Sequence, residues 1–379
     1  MNSLRDMVEP SPRTHVAETK AGFVLSEEES PQPLAPPRWD WEAVKRVLVI
    51  RLRSIGDTVL ATPSLFALKR FLPDAQVDIL VEDWVAPLLT DHPYVDNVVV
   101  LERGGFMTRF GVARELRSER YDVVYNLHGG TTATFLTRAT GARHRVGFKT
   151  YQYANLHTEL APSPLLLWGQ QKTHSVEQQL ALLGWTGVPV SDRPRTQLGI
   201  SPAAVESVNR QLAAAGLGDR QIALIHPAAA FETKRWAVEN FARVAEFVAE
   251  RGLAPVAIAA PHEIGLIDTL LNEASVHVLS LELSLPEVTA LAARSQLFVG
   301  NDSGIAHIAA AVGTPSVVVF GSSNIAHWRP WNSAKAEVVF QQMPCQPCHG
   351  YFCEKFSQPE CILRVPVTGV AAAIERCLN

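Results

Sequence analysis

The stretch Leu297–Gly321 constrains the fold most strongly, because it predicts a strand, a polar turn, a short helix and a second strand in immediate succession. Apolar runs form its two ends. Between them, the residues Asn301, Asp302 and Ser303 are typical of helix N-caps and precede a run of small apolar residues over Ile305–Val312. A strand joined to a helix by such a turn is the repeating unit of an α/β protein.

The start of this short helix has the chemistry of an anion site. Ser303 and His307 are four residues apart, so they are expected to share one face beside backbone N–H groups that have no partner within the helix. Such N–H groups and the positive end of the helix dipole bind phosphate, and Gly304 leaves room for its approach. An ordinary capped helix with a structural histidine would explain the same residues equally well.

Short apolar runs alternate with helical segments through the rest of the chain, in two series. This alternation predicts an α/β fold with two doubly wound, Rossmann-like halves, each built on a parallel sheet. Ligands bind such sheets beyond the carboxyl ends of the strands, here in a cleft between the halves. The predicted strands are Val47–Leu52, Gln76–Val81, Asn97–Leu101 and Tyr121–Leu127 in the first half, and Ile222–His226, Pro255–Ala259, Val276–Leu279, Leu297–Val299 and Ser316–Phe320 in the second.

Composition divides the chain into four parts. Residues 1–42 contain six prolines and the acidic run 27–29, which predicts a disordered N-terminal tail. Residues 43–190 are expected to form the first Rossmann-like domain and residues 191–366 the second. Residues 367–379 are predicted to form a terminal helix.

Charge and hydropathy exclude several classes of protein. The net charge is −4, and only the segment 43–195 has a basic surplus, with 18 Lys and Arg against 14 Asp and Glu. That balance argues against a nucleic acid partner. No apolar run approaches the roughly 18–20 residues that span a bilayer, and no export signal is visible. We therefore expect a cytoplasmic protein that touches a membrane at most from its surface.

The first predicted strand ends in the segment Arg51–Asp57, in which Gly56 permits a tight turn and Asp57 opens the next helix. A carboxylate that faces a cleft from a strand end is well placed to take a proton from an acceptor hydroxyl. The alternative is that Asp57 only caps the helix, which is worth about 1 kcal/mol. The glycines of a dinucleotide-binding fingerprint are absent from this turn.

Two loops of the second half carry further polar groups at strand ends. Lys234 and Arg235 precede a helix, and their charges suit a diphosphate leaving group, although a solvated pair beside the packing anchor Trp236 is the alternative. Glu263 follows the next strand. It is placed either to accept hydrogen bonds from a ribose or to favour the start of a helix.

Four cysteines, Cys345, Cys348, Cys353 and Cys361, fall within seventeen residues. Zinc and disulfide frameworks both use clusters of this kind. A cytoplasmic setting disfavours disulfides, and the spacings of four and seven residues differ from those of common zinc ribbons. We interpret the segment as a structural loop and predict no metal site.

Four motifs together resemble the ADP-heptose:lipopolysaccharide heptosyltransferases of glycosyltransferase family nine. They are SIGDTVLATP at 54–63, TKRW at 233–236, PHE at 261–263 and NDSGIAHIAAAVGTPSVVVFG at 301–321. The resemblance covers residues 45–379. It implies the GT-B fold, in which the last helix commonly crosses back onto the N-terminal domain. It also implies inverting transfer of heptose from ADP-heptose to the lipopolysaccharide inner core at the cytoplasmic side of the inner membrane.

The same resemblance implies roles for individual residues. Asp57 matches the proposed general base, Lys234 the lysine that contacts phosphate, and Glu263 the acidic residue at the donor ribose. The residues that match the loop and helix start around the donor diphosphate and sugar are Asp302, Ser303, Gly304 and His307. The expected partners are a nucleotide-sugar donor and a lipid-linked saccharide acceptor, without a cofactor, and the expected state is a monomer.

Two other functions stay open at this point, a GT-B enzyme with a different nucleotide sugar and a non-catalytic sugar-nucleotide-binding protein. The retention of both Asp57 and Lys234 argues against the second. The sequence says less about how the acceptor is recognised. One basic cluster could contact carboxylates or phosphates of a lipid-linked sugar, but a solvated charged surface explains it more simply, so it is left outside the predicted site. Its members are Arg138, Arg143, Arg145 and Lys149.

Overall fold

The computed structural model describes residues 30–331, 335–348 and 351–379. Residues 32–379 form one compact unit, which contains two six-stranded parallel sheets. Each sheet is covered on both faces by helices. We call the first sheet with its helices the N-terminal lobe and the second sheet with its helices the C-terminal lobe.

The N-terminal sheet has the strand order β3-β2-β1-β4-β5-β6, with every neighbouring pair parallel. Its central strands are apolar and fully buried, as strands covered on both faces must be. Its strands are β1 (Arg46–Ile50), β2 (Gln76–Glu82), β3 (Asn97–Leu101), β4 (Val123–Asn126), β5 (His144–Phe148) and β6 (Glu159–Ala161).

The C-terminal sheet has the order β12-β11-β10-β7-β8-β9 and is again parallel throughout. The order places β10 and β7 side by side at its centre, where the strand order reverses. Its strands are β7 (Ile222–His226), β8 (Ala254–Ile258), β9 (Leu279–Leu281), β10 (Leu297–Asn301), β11 (Ser316–Phe320) and β12 (Ala336–Phe340).

Helices connect successive parallel strands in both lobes, as expected for two doubly wound sheets. Those of the N-terminal lobe are α1 (Ile55–Val59), α2 (Thr62–Phe71), α3 (Phe106–Ser118), α4 (Thr131–Ala139), α5 (Pro164–Trp168) and α6 (Ser175–Trp185). Those that follow are α7 (Pro202–Ala214), α8 (Val238–Glu250), α9 (Ile264–Glu273), α10 (Leu285–Arg294), α11 (Gly304–Ala311), α12 (Ile325–Trp328), α13 (Glu360–Leu363) and α14 (Val367–Leu378). None of these helices is both long and apolar enough to cross a membrane.

The predicted α/β fold with two parallel sheets is confirmed, and the differences are local. Strands β5, β6 and β12 were not predicted, because they are short and mix polar with apolar residues. The predicted strand at 276–279 is displaced to β9. The apolar spacing over 58–71 predicts a single helix, but the structure has two, since Pro63 in the first turn of α2 has no N–H and cannot continue α1. The predicted domain boundary at 190/191 lies between α6 and β7 and stays a prediction.

Part of the predicted disordered N-terminal tail is ordered. Residues 1–29 of that prediction lie outside the described residues, but residues 32–42 pack on the N-terminal lobe. The indole of Trp41 is buried and donates a hydrogen bond to the backbone oxygen of Thr186 at 3.1 Å. The ring of Trp39 stacks on His144 with centroids 4.2 Å apart. Two large aromatic side chains therefore outweigh a proline-rich local sequence.

The terminal helix α14 matches its predicted bounds but not its predicted partner. It packs on its own lobe instead of crossing back onto the N-terminal lobe. Val370, Ala373 and Ile374 are buried in the core that covers one face of the C-terminal sheet, against β11, β12 and α8. An ion pair between Arg251, directly after α8, and Glu375 supports this position. The apolar stripe of α14 thus completes the C-terminal sheet.

Candidate active site

The two lobes meet where α1, at the carboxyl end of β1, touches α11, at the carboxyl end of β10. Two glycines permit the contact. A Cβ atom built on Gly304 would lie 2.6 Å from the Cβ of Ile55, and one built on Gly56 would lie 2.7 Å from the Cδ2 of His307. Side chains at these positions would force the helices apart. The turns that carry the predicted site residues of both halves are therefore neighbours.

The carboxylate of Asp57 is held by two groups of its own lobe. One oxygen accepts hydrogen bonds from the backbone N–H of Ser54 at 3.1 Å and from its hydroxyl at 3.2 Å, which forms a capping box at the start of α1. The other oxygen forms an ion pair with the buried Arg51. Asp57 therefore does cap the helix, and its side chain keeps 21% exposure.

Arg51 was not predicted as a site residue, although it is the one charged residue that interrupts the first apolar run. Its guanidinium also donates to the backbone oxygen of Leu127 at 2.8 Å, so it ties the ends of β1 and β4 together. A charge so buried is tolerated because it is paired and hydrogen-bonded. Arg51 thereby fixes where the carboxylate of Asp57 lies.

Lys234, in the loop after β7, and Asp302, in the turn before α11, form an ion pair. The Nζ of Lys234 lies 2.9 Å from the Oδ2 of Asp302, whose residue is only 5% exposed. Ser323, in the loop after β11, donates its hydroxyl to the same oxygen. Asn301 joins the two loops, since its amide accepts from the N–H of Trp236 and donates to the oxygen of Pro227. Loops after β7, β10 and β11 are thus bound into one unit.

Ser303 lies at the start of α11, four residues before His307. It is the N-cap residue of α11, and its hydroxyl contacts the Nδ1 of His226 at 3.2 Å instead of capping the helix. Burial lowers the pKa of His226 to about 4, so this imidazole is neutral near pH 7. His226 was seen in the sequence only as the end of a strand. Its contact follows from the pairing of β7 with β10.

His307 lies where the groups of both lobes converge. Burial lowers its pKa most strongly, the nearby carboxylates of Asp302 and Asp57 raise it, and Lys234 lowers it. The net direction is downward, which favours a neutral imidazole. Its Nδ1 is buried without a hydrogen-bond partner among the described residues. A buried polar atom of this kind is unusual and marks a position where a ligand atom would be stabilised.

Glu263 lies further along the same edge of the C-terminal sheet. Its carboxylate accepts from the backbone N–H of Ala260 at 3.3 Å and, with Ala229, Arg235 and His262, lines a cavity of about 360 Å³. Because β10, β7 and β8 are consecutive in the sheet, their loops follow each other in a row. The row begins with Asp302 to His307, continues with Lys234 and ends with Glu263.

Two cavities lie on the N-terminal side of this row, and His128, directly after β4, lines both. One, of about 490 Å³, is lined by Arg53, Arg103 and Arg109, and we call it the arginine pocket. The other, of about 470 Å³, reaches His327 of the C-terminal lobe. Burial lowers the pKa of His128 to about 4, Arg51 and Arg53 lower it further, and the carboxylate of Asp57 opposes them. His128 and the arginine pocket were missed in the sequence.

The cysteines surround a cavity of about 420 Å³ behind the donor-side loops. Four of the five free thiols line it, namely Cys345, Cys348, Cys353 and Cys361. Burial, with the neighbouring thiols, raises the pKa of Cys361 to about 11. The backbone N–H of Cys348 donates to the oxygen of Ser322 at 3.0 Å. Across residues 30–331, 335–348 and 351–379, no three His, Cys, Asp or Glu side chains are grouped to hold a metal ion.

Two Rossmann-like lobes whose sheets meet at their carboxyl ends define the GT-B class of glycosyltransferase. The sequence profile described as glycosyltransferase family 9 (heptosyltransferase) matches residues 109–356. The chain belongs to this family and is a glycosyltransferase.

Relatives and solved structures agree with this assignment. Lipopolysaccharide heptosyltransferase 3 of Escherichia coli is 28% identical over 352 residues, which cover 86% of this chain and 97% of the relative. Lipopolysaccharide heptosyltransferase 1 of Pseudomonas aeruginosa is 27% identical, with coverage of 88% and 98%.

The structure of E. coli ADP-heptose lipopolysaccharide heptosyltransferase II matches with a TM-score of 0.74 at 22% identity, covering 88% of this chain and 98% of that one. E. coli heptosyltransferase WaaC with ADP matches at 0.67 and 19%, with coverage of 88% and 99%. The two structures establish the fold.

Proposed function

We propose that this protein transfers heptose from ADP-heptose to the lipopolysaccharide inner core, or to a related lipid-linked glycan, with inversion at the anomeric carbon. One observation carries the proposal. Helix α1, which carries Asp57, packs directly on α11, which carries His307, and Lys234 pairs with Asp302 at 2.9 Å just before α11. The charges of Asp57, Asp302 and Lys234 all act on the pKa of His307. An acid–base group of one lobe thus faces a phosphate-binding turn of the other.

The row of C-terminal loops suits an extended nucleotide sugar. We assign the diphosphate to Lys234, His307, Ser303 and the first N–H groups of α11, because these supply donors and positive charge close together. Gly304 permits the approach. Glu263, at the far end of the row and beside its own cavity, is placed to accept hydrogen bonds from the ribose. The structures of the related E. coli heptosyltransferase WaaC with ADP and with ADP-2-deoxy-2-fluoro heptose support this donor class.

The reaction is a single displacement. Asp57 takes the proton of an acceptor hydroxyl, whose oxygen forms a bond to the anomeric carbon from the face opposite ADP. The bond from that carbon to the diphosphate oxygen breaks, and its electron pair leaves with ADP. Lys234 and the N–H groups of α11 stabilise the charge that develops on the diphosphate. Since these groups are provided by the protein, the proposal requires no catalytic metal.

Neutral His307 fits this scheme better than a charged one. A neutral imidazole has one N–H donor and one acceptor nitrogen, so it can donate to a diphosphate or sugar oxygen while its other nitrogen accepts. Arg51 supports the chemistry indirectly. It positions the carboxylate of Asp57 and limits its rotation.

The alternatives differ in the donor and in catalysis. We would measure transfer with ADP-heptose against UDP- and GDP-sugars, using the complete protein and a core oligosaccharide acceptor. Product formed from ADP-heptose alone, with inverted anomeric configuration by NMR, is the expected result. Faster transfer from another nucleotide sugar would replace the donor assignment. Tight ADP binding without transfer to any acceptor would favour a non-catalytic binding protein.

A further inference from the structure

The turn at residues 127–130, directly after β4, separates the two cavities on the N-terminal side of the site. We call the cavity of about 470 Å³ that reaches His327 the interlobe cavity. Leu127 lines the interlobe cavity, Gly130 lines the arginine pocket, and His128 between them lines both. Each cavity has the size of a small-molecule site. A ligand that fills both cavities must therefore pass His128.

Two side chains fix this turn relative to Asp57. The Oδ1 of the buried Asn126 accepts the backbone N–H of His128 at 3.2 Å. Arg51 donates to the backbone oxygen of Leu127 at 2.8 Å and pairs with the carboxylate of Asp57. The position of His128 is thus determined by the same guanidinium that holds the proposed general base.

The imidazole of His128 has a capacity for hydrogen bonds that the fold does not use. Burial lowers its pKa to about 4, so the ring is neutral near pH 7. Its Nδ1 is buried without a hydrogen-bond partner among the described residues, so Nε2 is the ring nitrogen that the cavities can reach. The Nε2 of a neutral imidazole donates or accepts according to the tautomer. Since a buried polar atom without a partner is destabilising, a ligand explains this histidine better than packing does.

The arginine pocket presents hydrogen-bond donors and acceptors side by side. Its charged lining residues are Arg53, Arg103, Arg109, Glu82 and Glu102. Within the described part of the chain, none of these five side chains forms an ion pair. Sugar hydroxyls both donate and accept, so guanidinium groups next to carboxylates suit a sugar ring. All residues that line this pocket belong to the N-terminal lobe.

The interlobe cavity, in contrast, joins groups of both lobes to the pair that holds the general base. Arg51 lines it from the N-terminal lobe, and Asn324 and His327 line it from the C-terminal lobe. Burial lowers the pKa of His327, and the carboxylate of Asp57 opposes this effect, as it does at His128. The charge of Asp57 therefore reaches this cavity. A sugar placed here would lie between the general base and the donor-binding lobe.

We propose that the acceptor occupies both cavities as at least two linked sugar rings and accepts or donates a hydrogen bond at the Nε2 of His128 between them. The ring that receives heptose lies in the interlobe cavity, and the preceding ring lies in the arginine pocket. The inference rests on the proposed function, since it assigns a place to the acceptor of that reaction. It adds that an oligosaccharide is recognised, and that His128 binds it without taking its proton.

The first test compares two soluble acceptors with the full chain at saturating ADP-heptose. They are the core oligosaccharide and the methyl glycoside of the single sugar that receives heptose. We expect a KM about tenfold or more lower for the oligosaccharide, because it fills both cavities. Arg109→Gln should raise the KM of the oligosaccharide about fivefold or more and leave that of the methyl glycoside unchanged, since a single ring does not reach the arginine pocket.

The second test separates the hydrogen bond of His128 from its packing. A glutamine at this position places its amide near the position of Nε2, whereas an asparagine reaches only that of Nδ1. His128→Asn should raise the KM of the oligosaccharide about fivefold or more, and His128→Gln should stay within about twofold of the unchanged protein. The KM of ADP-heptose should not change in either variant. His277→Asn, at an exposed position of the C-terminal lobe, is the control and should alter neither KM.

The possible results distinguish this inference from the proposed function. Equal KM values for the two acceptors, or the same rise for both of them in Arg109→Gln, would overturn the two-cavity assignment in a protein that still transfers heptose. An unchanged KM in His128→Asn would remove His128 from the acceptor site. So would equal losses in both histidine variants together with a lower free energy of unfolding, because the role of His128 would then be structural. Absence of transfer to either acceptor by the unchanged protein would instead overturn the proposed function, and the acceptor assignment with it.

Discussion

The imidazole of His307 lies directly against Gly56, so that a Cβ atom at residue 56 would come within 2.7 Å of its Cδ2 and 3.3 Å of its Nε2. The two residues belong to different lobes and are 251 positions apart in the chain. Their contact places the carboxylate of Asp57, one residue further on, beside the turn that carries Asp302.

Gly56→Ala should separate the two lobes at the site. The added methyl group displaces the ring of His307, and a shift of about 1 Å near the chemistry can cost about a hundredfold in turnover. Gly111→Ala in α3 is the matched control, because a Cβ there meets nothing within 4 Å. Turnover with a soluble acceptor checks both. Equal turnover of the two variants would contradict the role given to this contact.

Asp57→Asn should remove the general base. We expect turnover to fall by about a hundredfold to ten-thousandfold, while the affinity for ADP measured by calorimetry changes by only a few fold. Glu287→Gln is the control, since Glu287 likewise accepts from the N–H and hydroxyl of its capping partner Ser284 but lies in α10. Loss of a cap alone should cost about 1 kcal/mol of stability and no turnover. Normal turnover in Asp57→Asn would remove this residue from the mechanism.

Lys234→Met should weaken donor binding itself. Losing a charged donor to the diphosphate, and leaving Asp302 without its partner, predicts a rise in the dissociation constant for ADP of about tenfold or more. Lys69→Met is the control, because Lys69 pairs with Asp96 at 2.8 Å on the N-terminal lobe. Titration calorimetry with ADP distinguishes the two. An unchanged affinity in Lys234→Met would place the diphosphate elsewhere.

His174 should make the protein less stable in acid. Burial lowers its pKa from 6.5 to about 3, and its Nδ1 accepts the N–H of Val176 at 3.1 Å while its Nε2 contacts the oxygen of Arg329 at 2.8 Å. The unfolded chain binds this proton more readily, so the stabilisation is complete above pH 6.5 and is lost as the pH falls toward 3.

His174→Asn retains an N-cap side chain for α6 without that titration. The free energy of unfolding, measured with urea between pH 6.5 and about 5, should depend less steeply on pH in the variant. One proton corresponds to about 1.4 kcal/mol per pH unit. An identical slope in both proteins would show that His174 is not neutral in the fold. The variant breaks the contact with Arg329, so only the slopes are compared.

The sequence by itself determined the parts that depend on local patterns. Apolar runs located the central strands of both sheets, and residues 367–379 were predicted as a helix, which α14 forms over Val367–Leu378. Cap residues also located the turn at 301–304, since Asn, Asp and Ser before a run of small apolar residues are typical of a helix start. These signals depend only on residues close to each other in the sequence, so they can be recognised without the tertiary structure.

Only the tertiary structure decided which elements pack together. The apolar stripe of α14 indicates that one face of the helix is buried, but not that β11 and β12 bury it. The proline-rich sequence before Trp41 gives no indication that its indole is buried in the N-terminal lobe. The same holds at the site, where Ser303 contacts His226 across two strands and Asp57 pairs with Arg51. Such contacts depend on strand order and on the meeting of two lobes. Residue spacing along the chain encodes neither the strand order nor the contact between the lobes. These contacts are stabilised by surfaces that are far apart in the sequence and that come together only when the chain folds.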